Sequence, residues 1–498
     1  GVFQLDGGPM RALLKSMSPD SFQDISAVIA LYRPGPMGEN AHNNYADRKN
    51  KRKPVESIHP ELTEPLQEIL GDTYGLIVYQ EQVMAIAQKV AGFSLGRADL
   101  LRKAMGKKNK EILDKEYVPF EAGMKENGFS TAAIKRLWEV LIPFSDYAFN
   151  RAHSAGYGVV SYWTAYLKAN YPTEYMAALL TSVRDDKDKS ALYLSECRRM
   201  GIKVLSPDVN ESDAEYTPRG VDIRFGLAAI RNVGEGVVAS IKSARTIKGR
   251  YTSFGDFLAK VDAQVCNKKT IESLIKAGAF GSLGSTRKGL IAIHLEAIDS
   301  VIESKRAEAI GQFDLFGGEA VTAVSGLDIE VPTGEWDKSM LLSYEREMLG
   351  LYVSDHPLLG VEHVLRANTD MSISEIVDDG AQHESIVTIG GLITSVTRKV
   401  SRQGASWAVV TVEDLEGSLE VLFFANTYNQ YSMSLTEDRI VTIRGRVDRR
   451  EDKLRFTALE MSMPDINATP TGPLVISLPI QQCTPPVVER IKEILRSH

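Results

Sequence analysis

The spacing of apolar residues changes once along this chain, and the change separates two kinds of structure. Up to about residue 200, apolar side chains recur three or four positions apart, as in "SFQDISAVIALY" and "YQEQVMAIAQKVAGF". From 386 to 460 they alternate with polar residues, as in "RIVTIRGRVDRRE". The first period predicts amphipathic helices and the second predicts half-buried strands. We therefore expect a multidomain α+β fold, with a helical first part and an all-β domain further along.

The β region contains five strand candidates: "SIVTIGGLITSVTRKV", "SWAVVTVEDL", "GSLEVLFFANTY", "RIVTIRGRVDRRE" and "KLRFTALEM". Five short antiparallel strands in so few residues fit an OB-type barrel better than a sandwich. Phe423 and Phe424 must point to opposite faces, so one of them belongs to the core. The cations and rings that could hold single-stranded nucleic acid are Arg398, Lys399, Arg402, Trp407 and Phe424.

Two stretches between these regions indicate helix, glycine turn, helix: "LAAIRNVGEGVVASIKSARTIKG" and "CNKKTIESLIKAGAFGSLG". Gly234 and Gly236 would let the first turn press its backbone N–H groups against a phosphate, as in helix-hairpin-helix elements that bind duplex DNA. An ordinary turn between two helices is the alternative.

Composition limits the possible functions. The 498 residues are 43% hydrophobic and 25% charged, with a formal net charge of −7. No apolar run approaches the roughly 20 residues that span a bilayer, and no signal-peptide pattern is present. We expect a cytoplasmic protein with no membrane contact, in which local basic segments would bind any polyanion. The three cysteines, far apart, argue against disulfides and structural zinc. Because the chain begins at Gly1, in mid-motif, we expect it to be part of a longer protein.

The densest basic segment is "DLLRKAMGKKNKE". Arg102, Lys103, Lys107 and Lys108 fall on one helix end and the glycine turn after it, where cations can meet phosphate oxygens. A solvated helix end, with cations favoured by the helix dipole, explains the same pattern equally well.

A second segment, "FSDYAFNRAHSAGYGVVSYWTAYLKANYP", mixes polar and aromatic residues. Asn150, Arg151 and His153 form a polar cluster beside a helix start, which favours a binding site. Aromatic residues at helical spacing are more often core, and on that basis we expect the later ones to be buried: Tyr157, Tyr162, Trp163 and Tyr166.

Nucleotidyl transfer requires paired carboxylates that hold two metal ions on adjoining strands. The candidates are Asp186-x-Asp188 and Asp378-Asp379, and both lie in polar, loop-like contexts. The sequence contains no P-loop and no Ser-His-Asp order. We therefore expect no catalytic residue and no metal ligand in this chain.

The segment "GQFDLFGG" places Leu315 and Phe316 between glycines, in a stretch too short for a helix or a strand interior. Such an apolar doublet is covered either by the cleft of a partner or by the protein's own core.

Long ordered blocks resemble the α subunits of bacterial DNA polymerase III, the C-family replicative polymerases. They are "GVFQLDGGPMRALL", "ISAVIALYRPGPM", "YGLIVYQEQVMAIAQKVAGFSLGRADLLRKAMGKK", "FNRAHSAGYGVVSYWTAYLKANYPTEYMAALLTS" and "SYEREMLGLYVSDHPL". The resemblance implies a piece that runs from within the fingers domain to the start of the C-terminal domain. It also implies that the catalytic aspartates, and the Mg²⁺ they bind, belong to a palm domain upstream of Gly1.

The resemblance further implies roles for individual residues. Those that would contact the incoming dNTP are Arg102, Lys103, Lys107, Lys108, Asn150, Arg151 and His153. Those of the internal sliding-clamp motif are Gln312, Asp314, Leu315 and Phe316. The hairpin, with Gly234 and Gly236, would hold duplex primer–template, and the barrel would lie near single-stranded template. The implied partners are DNA, dNTP, the β sliding clamp and the other polymerase III holoenzyme subunits.

The expected domains follow from both lines of reasoning. They are fingers over 1–205, a helix-hairpin-helix region over 206–295, a linker with the clamp motif over 296–330, a helical connector over 331–385, an OB-fold nucleic-acid-binding domain over 386–465 and the start of a C-terminal domain over 472–498. The expected function is template-directed DNA synthesis by the full-length protein, with this piece alone inactive. The alternatives are a non-catalytic DNA- and clamp-binding adaptor, and a lyase or glycosylase that uses Lys242.

Overall fold

The computed structural model describes residues 1–106, 110–144, 149–309, 330–350, 352–377, 381–401, 404–450, 453–465 and 485–497. These residues form two compact units, Gly1–Pro357 and Leu358–His498. Each unit has its own hydrophobic core.

The first unit begins with a helical region. Its α-helices are α1 (Gly8–Met17), α2 (Phe22–Leu31), α3 (Pro34–Gly38), α4 (Ala41–Lys49), α5 (Thr63–Leu70), α6 (Gln80–Ala91), α7 (Leu95–Gly106), α8 (Lys110–Glu126), α9 (Thr131–Phe144), α10 (Arg151–Asn170), α11 (Pro172–Ser182) and α12 (Lys187–Arg199). Their starts carry recognisable signals. Ser21 and Asp24 form a capping box on α2, Asn150 caps α10 and Pro172 opens α11.

Two cores hold most of α1 to α9 together, whereas the buried side chains of α11 and α12 belong to the core of the middle region. Between α5 and α9, the fully buried Phe120 packs against Trp138, with ring centroids 5.0 Å apart. Under α1, α2 and α4, the buried Tyr45 hydroxyl donates to Asp24 Oδ1 at 2.9 Å. Burial raises the pKa of Tyr45 well above its usual range, so the phenol remains a donor.

The middle of the first unit contains a small sheet and further helices. Strands β1 (Val204–Leu205), β2 (Thr217–Arg219) and β3 (Asp222–Arg224) are ordered β1-β3-β2, with β1 and β3 parallel. The helices that follow are α13 (Glu235–Lys248), α14 (Phe254–Lys260), α15 (Lys268–Lys276), α16 (Arg287–Ala309) and α17 (Lys338–Leu349). Phe254, Phe257 and Phe280 pack edge to face in their core, with centroids 5.0 to 5.3 Å apart.

The start of α16 is capped by a residue far along the chain. Glu335 Oε2 accepts from the backbone N–H of Arg287 at 2.7 Å, and Glu335 Oε1 accepts from the N–H of Lys288 at 3.0 Å. A carboxylate at this position satisfies amides that have no partner within the helix. The chain therefore leaves α16 at its C-terminal end, Ala309, and returns to bind its N-terminal end through Glu335.

Two predictions in this region were wrong. The stretch before Gly234 was expected to be a helix, but it is a short 3₁₀ turn, Leu227–Ala229. The expected linker at 296–330 starts too early, because α16 continues to Ala309. Ala297, Ile298 and Val301 are buried at helical spacing along it, and this apolar stripe outweighs the polar composition that suggested a linker.

The second unit is built around a barrel. Helices α18 (Glu362–Ala367) and α19 (Ile373–Val377) precede it, and its other elements are β4 (Ile386–Val400), β5 (Ser406–Glu413), β6 (Ser418–Phe423), α20 (Ala425–Tyr431), β7 (Ile440–Arg450) and β8 (Lys453–Ser462), followed by α21 (Pro485–Ser497). The five strands close in the order β4-β5-β6-β8-β7, with β6 and β8 parallel. The predicted five-stranded barrel is confirmed.

The long strand β4 pairs with β7 along its first half and with β5 along its second half, and this double pairing closes the barrel. A register shift between Ile393 and Ser395 marks the bend. A Cβ on Gly391 would lie 2.5 Å from the Glu413 carbonyl oxygen, so the close approach there requires glycine. One strand prediction was too long: "GSLEVLFFANTY" leaves the sheet after Phe423, and its last residues begin α20.

Among the helices of the described residues, none is long and apolar enough to cross a membrane.

Candidate nucleotide and nucleic-acid interface

The start of α6 lies beside the start of α10. The Gln80 N–H donates to the Phe149 carbonyl at 2.9 Å, and the Phe149 N–H donates to the Val78 carbonyl at 3.3 Å. Tyr79 and Phe149 thereby form a parallel β-bridge. The bridge holds the backbone entering α10 against the backbone entering α6, although the two segments are far apart in sequence.

Glu81 extends this connection with its side chain. Its Oε1 accepts from Asn150 Nδ2 at 3.0 Å, and its Oε2 accepts from the Arg151 backbone N–H at 2.9 Å. Asn150 Oδ1 in turn accepts from the His153 N–H at 2.8 Å. Two amides in the first turn of α10, those of Arg151 and His153, are therefore satisfied by one carboxylate and one cap.

Gln80 connects α6 to the basic end of α7. Its Oε1 accepts from Arg102 Nη1 at 3.1 Å. Asp99 Oδ1 accepts from Arg102 Nε at 2.9 Å and Nη2 at 2.7 Å, and Lys103 Nζ lies 2.8 Å from Asp99 Oδ2. The hydrogen bonds from Lys103 and Arg102 lower the pKa of Asp99, so this carboxylate stays ionised.

Because Gln80 and Glu81 are neighbours, the two sequence-predicted clusters meet at one end of α6. The predicted residues brought to this place are Arg102, Lys103, Asn150, Arg151 and His153. Neither Gln80 nor Glu81 was a predicted site residue. The only signal was their position at the start of the apolar pattern of α6, which does not reveal a partner 69 residues away.

Aromatic rings lie among these cations. Arg151 lies over the Tyr79 ring at 5.4 Å, and the His153 ring packs 4.6 Å from the Tyr157 ring. Arg33, which sequence reasoning missed, lies over the Phe149 ring at 4.2 Å. Partial burial lowers the pKa of Arg33, although an arginine remains charged at neutral pH. Its position between a tyrosine and two prolines gave no sign of this contact.

A buried polar network supports the start of α10. Ser26 Oγ on α2 lies 3.0 Å from Ser154 Oγ, and it accepts a hydrogen bond from the Tyr79 hydroxyl at 3.2 Å. Burial raises the pKa of Tyr79. All three side chains are buried and share hydrogen bonds, as a stable interior polar group requires. The network fixes the face of α10 that packs against α2.

The predicted burial of the later aromatic residues of α10 was wrong. Trp163 is 61% exposed, and the others, Tyr157, Tyr162 and Tyr166, are between 38% and 48% exposed. The helix packs instead through Ser154, Gly158 and Ser161, which are buried. Small residues let the α10 backbone approach α2 closely, and a Cβ on Gly158 would already lie 3.2 Å from the Phe22 ring.

The hairpin before α13 is shaped by an asparagine. Asn232 has a left-handed backbone with φ of 65°, whereas Gly234 caps α13 with φ of −83°. Thr270 Oγ1 donates to the Asn232 carbonyl at 3.2 Å, which ties the turn to α15. A Cβ on Gly234 or Gly236 would meet no atom within 4 Å, so the fold itself does not require glycine there. Glycine is instead suited to close approach by an external group.

The barrel surface carries a row of three side chains, one on β4, one on β5 and one directly after β6. Lys399 and Trp407 are register partners on β4 and β5, and Lys399 Nζ lies 5.3 Å from the Trp407 ring centroid. The Phe424 ring stacks on Trp407 at 6.1 Å with an interplanar angle of 26°. Phe424 is 50% exposed, while Phe423 is fully buried in the barrel. The predicted division between the two phenylalanines is therefore correct. Arg398 is held separately, by donation to the Leu435 carbonyl at 3.0 Å.

Several predicted residues lie outside the described residues. They are Lys107, Lys108, Gln312, Asp314, Leu315, Phe316 and Arg402, together with the Asp378-Asp379 pair.

The remaining carboxylate candidate has a structural role. Asp186 caps α12 by accepting from the Lys189 N–H at 3.1 Å. Across the described ranges, no group of three or more histidine, cysteine, aspartate or glutamate side chains could hold a metal ion. Lys242, the lysine needed by a lyase, is exposed and lies 2.9 Å from Asp213, whereas nucleophilic lysines are desolvated.

Family models match three segments of the chain. The bacterial DNA polymerase III alpha subunit finger domain matches residues 1–128, a helix-hairpin-helix motif matches 201–290 and an OB-fold nucleic acid binding domain matches 387–467. The DNA polymerase III subunit alpha of Mycobacterium tuberculosis strain H37Rv is 57% identical over 502 residues, which cover 100% of this chain and 42% of that protein. The chain belongs to the DNA polymerase III alpha subunit family.

Two further alpha subunits are also similar to this chain along its whole length. The subunit of Mycobacterium leprae is 56% identical over 100% of this chain and 42% of its own length, and that of Aquifex aeolicus is 37% identical over 100% and 41%. A mitochondrial single-stranded DNA binding protein of S. cerevisiae aligns with 16% of this chain and 95% of its own at 12% identity, but its TM-score of 0.14 supports no conclusion. The family resemblance and the α+β fold class, with its helix-hairpin-helix and OB-fold parts, are confirmed. The chain spans about 42% of the length of the curated relatives that it matches.

Proposed function

We propose that this chain is the nucleotide-, DNA- and clamp-binding part of a replicative DNA-directed DNA polymerase. The observation that carries the proposal is the meeting of two basic segments at Gln80 and Glu81, in a chain related along its whole length to DNA polymerase III alpha subunits. The full-length protein would catalyse template-directed DNA synthesis, with its Mg²⁺ held by residues outside this chain.

The nucleotide site would use the end of α6 as its base. Arg102 and Lys103 supply charge from α7, and Arg151 and His153 supply donors from α10. These groups would hold the triphosphate of an incoming dNTP and offset its charge, which is a positioning and electrostatic role. Lys107 and Lys108 continue the same basic sequence and would extend the contact.

DNA would bind at two further places. The turn at Gly234 and Gly236 adds no side chain of its own at these two positions at the N-terminus of α13, which suits a duplex phosphate, and Arg184 pairs with the acidic Glu235 between them at 3.0 Å. The row of Lys399, Trp407 and Phe424 combines one cation with two stacked rings, which suits single-stranded template bases. Arg398 and Arg402 would add backbone contacts.

The segment "GQFDLFG" would bind the sliding clamp. Leu315 and Phe316 would enter an apolar cleft, each contributing about 1.5 to 3 kcal/mol on burial. Gln312 and Asp314 would make polar contacts beside them. Because the polymerase and clamp would share one DNA, the peptide would act at roughly millimolar effective concentration and so increase processivity.

The test is titration of the 498-residue chain with a fluorescent dATP. We expect saturable binding that is lost in Arg102→Ala and weakened several-fold in Arg151→Ala. Arg136→Ala, a change at an exposed arginine on α9, is the control and should bind like wild type.

The same substitutions in the full-length polymerase should raise the dNTP KM. If the chain binds DNA and clamp while Arg102→Ala and Arg151→Ala leave dNTP binding unchanged, the nucleotide site is wrong. In that case the non-catalytic adaptor is the better account.

A further inference from the structure

Asp99 holds the two cations near the end of α7, Arg102 and Lys103. It lies three residues before Arg102 and four before Lys103, so all three side chains share one helix face. One carboxylate oxygen accepts from Arg102 at 2.7 and 2.9 Å, and the other lies 2.8 Å from Lys103 Nζ. A single negative charge is thus shared by two positive charges.

Arg102 makes more contacts than its ion pair with Asp99 on the same helix. Its third nitrogen donates to Gln80 Oε1 at 3.1 Å, so all three guanidinium nitrogens already donate hydrogen bonds within the protein. Gln80 is also the residue whose backbone N–H binds Phe149 at the start of α10. The Asp99 carboxylate therefore pairs with the same cations that, by the function proposed above, would bind a triphosphate.

We propose that Asp99 is a place-holding anion of the nucleotide site. In the nucleotide-free protein it satisfies Arg102 and Lys103, and the triphosphate takes over these cations when it binds. The inference rests on the proposed function, because it names the internal group that the substrate displaces.

The affinity for a phosphate ligand would then depend on how much more strongly Arg102 and Lys103 bind that ligand than they bind the Asp99 carboxylate. A triphosphate carries more charge than one carboxylate and can contact both cations together, so it can replace Asp99. A single phosphate group gains much less over the carboxylate. Asp99 would therefore select for polyphosphate over isolated phosphate groups and would favour release of the product.

The inference predicts the sign of a mutational effect. Asn at position 99 can still accept from Arg102 through its amide oxygen, but it carries no charge. Removing a negative charge beside bound polyphosphate should tighten binding roughly five- to ten-fold at low salt, and less at high salt. If Asp99 served only to orient Arg102 or to stabilise α7, the same change would weaken binding or leave it unaltered.

The experiment is isothermal titration calorimetry of the 498-residue chain with inorganic tripolyphosphate and with inorganic phosphate, at two salt concentrations. Asp99→Asn should bind tripolyphosphate more tightly than wild type, and its preference over phosphate should fall. Asp99→Glu keeps the charge and should stay near wild type. Asp72→Asn, the same chemical change at an exposed carboxylate in the 3₁₀ turn Gly71–Thr73, is the control and should have no effect.

The outcomes separate this inference from the function on which it rests. If Arg102→Ala removes tripolyphosphate binding but Asp99→Asn leaves it unchanged or weaker, only the place-holding role is wrong. If Arg102→Ala has no effect, or if no variant binds tripolyphosphate, the nucleotide site itself is wrong and the inference fails with it. Circular dichroism melts of each variant establish that it is folded.

Discussion

Glu81 accepts a hydrogen bond from the Arg151 backbone N–H at 2.9 Å, and this contact joins two helices that are distant in sequence. The same carboxylate accepts from Asn150 at 3.0 Å. Since α10 begins at Arg151, the position of its first turn depends on a residue of α6. The cations proposed to hold a nucleotide are thus positioned by contacts between helices as well as by the helices that carry them.

Replacing Glu81 with alanine should loosen the first turn of α10. The substitution leaves the Arg151 N–H and the Asn150 amide without their acceptor, at a cost of about 1 to 2 kcal/mol in stability. Faster hydrogen exchange of the amides of Arg151 and its neighbours would show the effect directly, and the dNTP KM of the full-length enzyme should rise. Glu64→Ala, at an exposed glutamate in the first turn of α5, serves as the control. Unchanged exchange in α10 would contradict the assignment.

The row on the barrel surface should bind single strands by stacking. Trp407→Ala and Phe424→Ala should each weaken binding of an oligonucleotide by about 1 kcal/mol or more, because each removes a ring on which a base can stack. Fluorescence anisotropy at several salt concentrations measures this change. The Met433 side chain is 90% exposed on the same unit, so Met433→Ala should leave the affinity unaltered. Equal losses in all three variants would indicate non-specific binding.

Acid should weaken the contact between α10 and α12. Glu196 accepts from Lys168 at 2.6 Å and from Arg199 at 2.7 and 2.8 Å. The Arg199 hydrogen bonds do most to lower the pKa of Glu196 to about 2; burial opposes the shift and Lys168 adds to it. Because the pKa of Glu196 in the folded protein lies below the usual glutamate value of 4.5, the stabilisation is fully present above pH 4.5 and is lost as pH falls towards 2.

The whole pKa shift of Glu196 would correspond to about 3 kcal/mol in the free energy of unfolding. Because Arg199 is largely exposed and solvent screens its charge, we expect about 1 kcal/mol. Glu196→Gln should therefore be less stable than wild type in urea at pH 7, and the difference should shrink as the pH falls below 4.5. Glu174→Gln, at an exposed glutamate of α11, should show no such difference. A gap between wild type and Glu196→Gln that stays constant from pH 7 to pH 3 would refute the linkage.

The clamp segment gives a prediction that depends only on sequence. Leu315→Ala with Phe316→Ala should abolish capture of the β sliding clamp in a pull-down, because both apolar anchors are removed. Val321→Ala with Val324→Ala changes two apolar residues of the same segment and should leave capture intact. Retained capture by the first double variant would show that the clamp binds elsewhere.

Local patterns predicted much of the fold but little of how the site is assembled. Alternation alone predicted the five strands and assigned Phe423 and Phe424 to opposite faces, since a strand has a strict two-residue period. The contacts of Gln80 and Glu81 could not be predicted, because a hydrogen bond between distant segments leaves no spacing in the sequence. Trp163 was assigned to the core because aromatic residues usually bury. In α10 the small residues Ser154 and Gly158 occupy the packed face and leave Trp163 outside.

The capping of α16 by Glu335 restricts how the clamp segment can work. The helix has 23 residues and is roughly 35 Å long, and the chain leaves it at Ala309 and returns to its other end at Glu335. Of the 25 residues between these two, about ten would be needed merely to cover that distance in extended form. By the function proposed above, a clamp bound at Leu315 and Phe316 would be connected through the chain to both ends of α16. A force on the bound clamp would then act on both ends of one helix, at Ala309 and at the Glu335 cap.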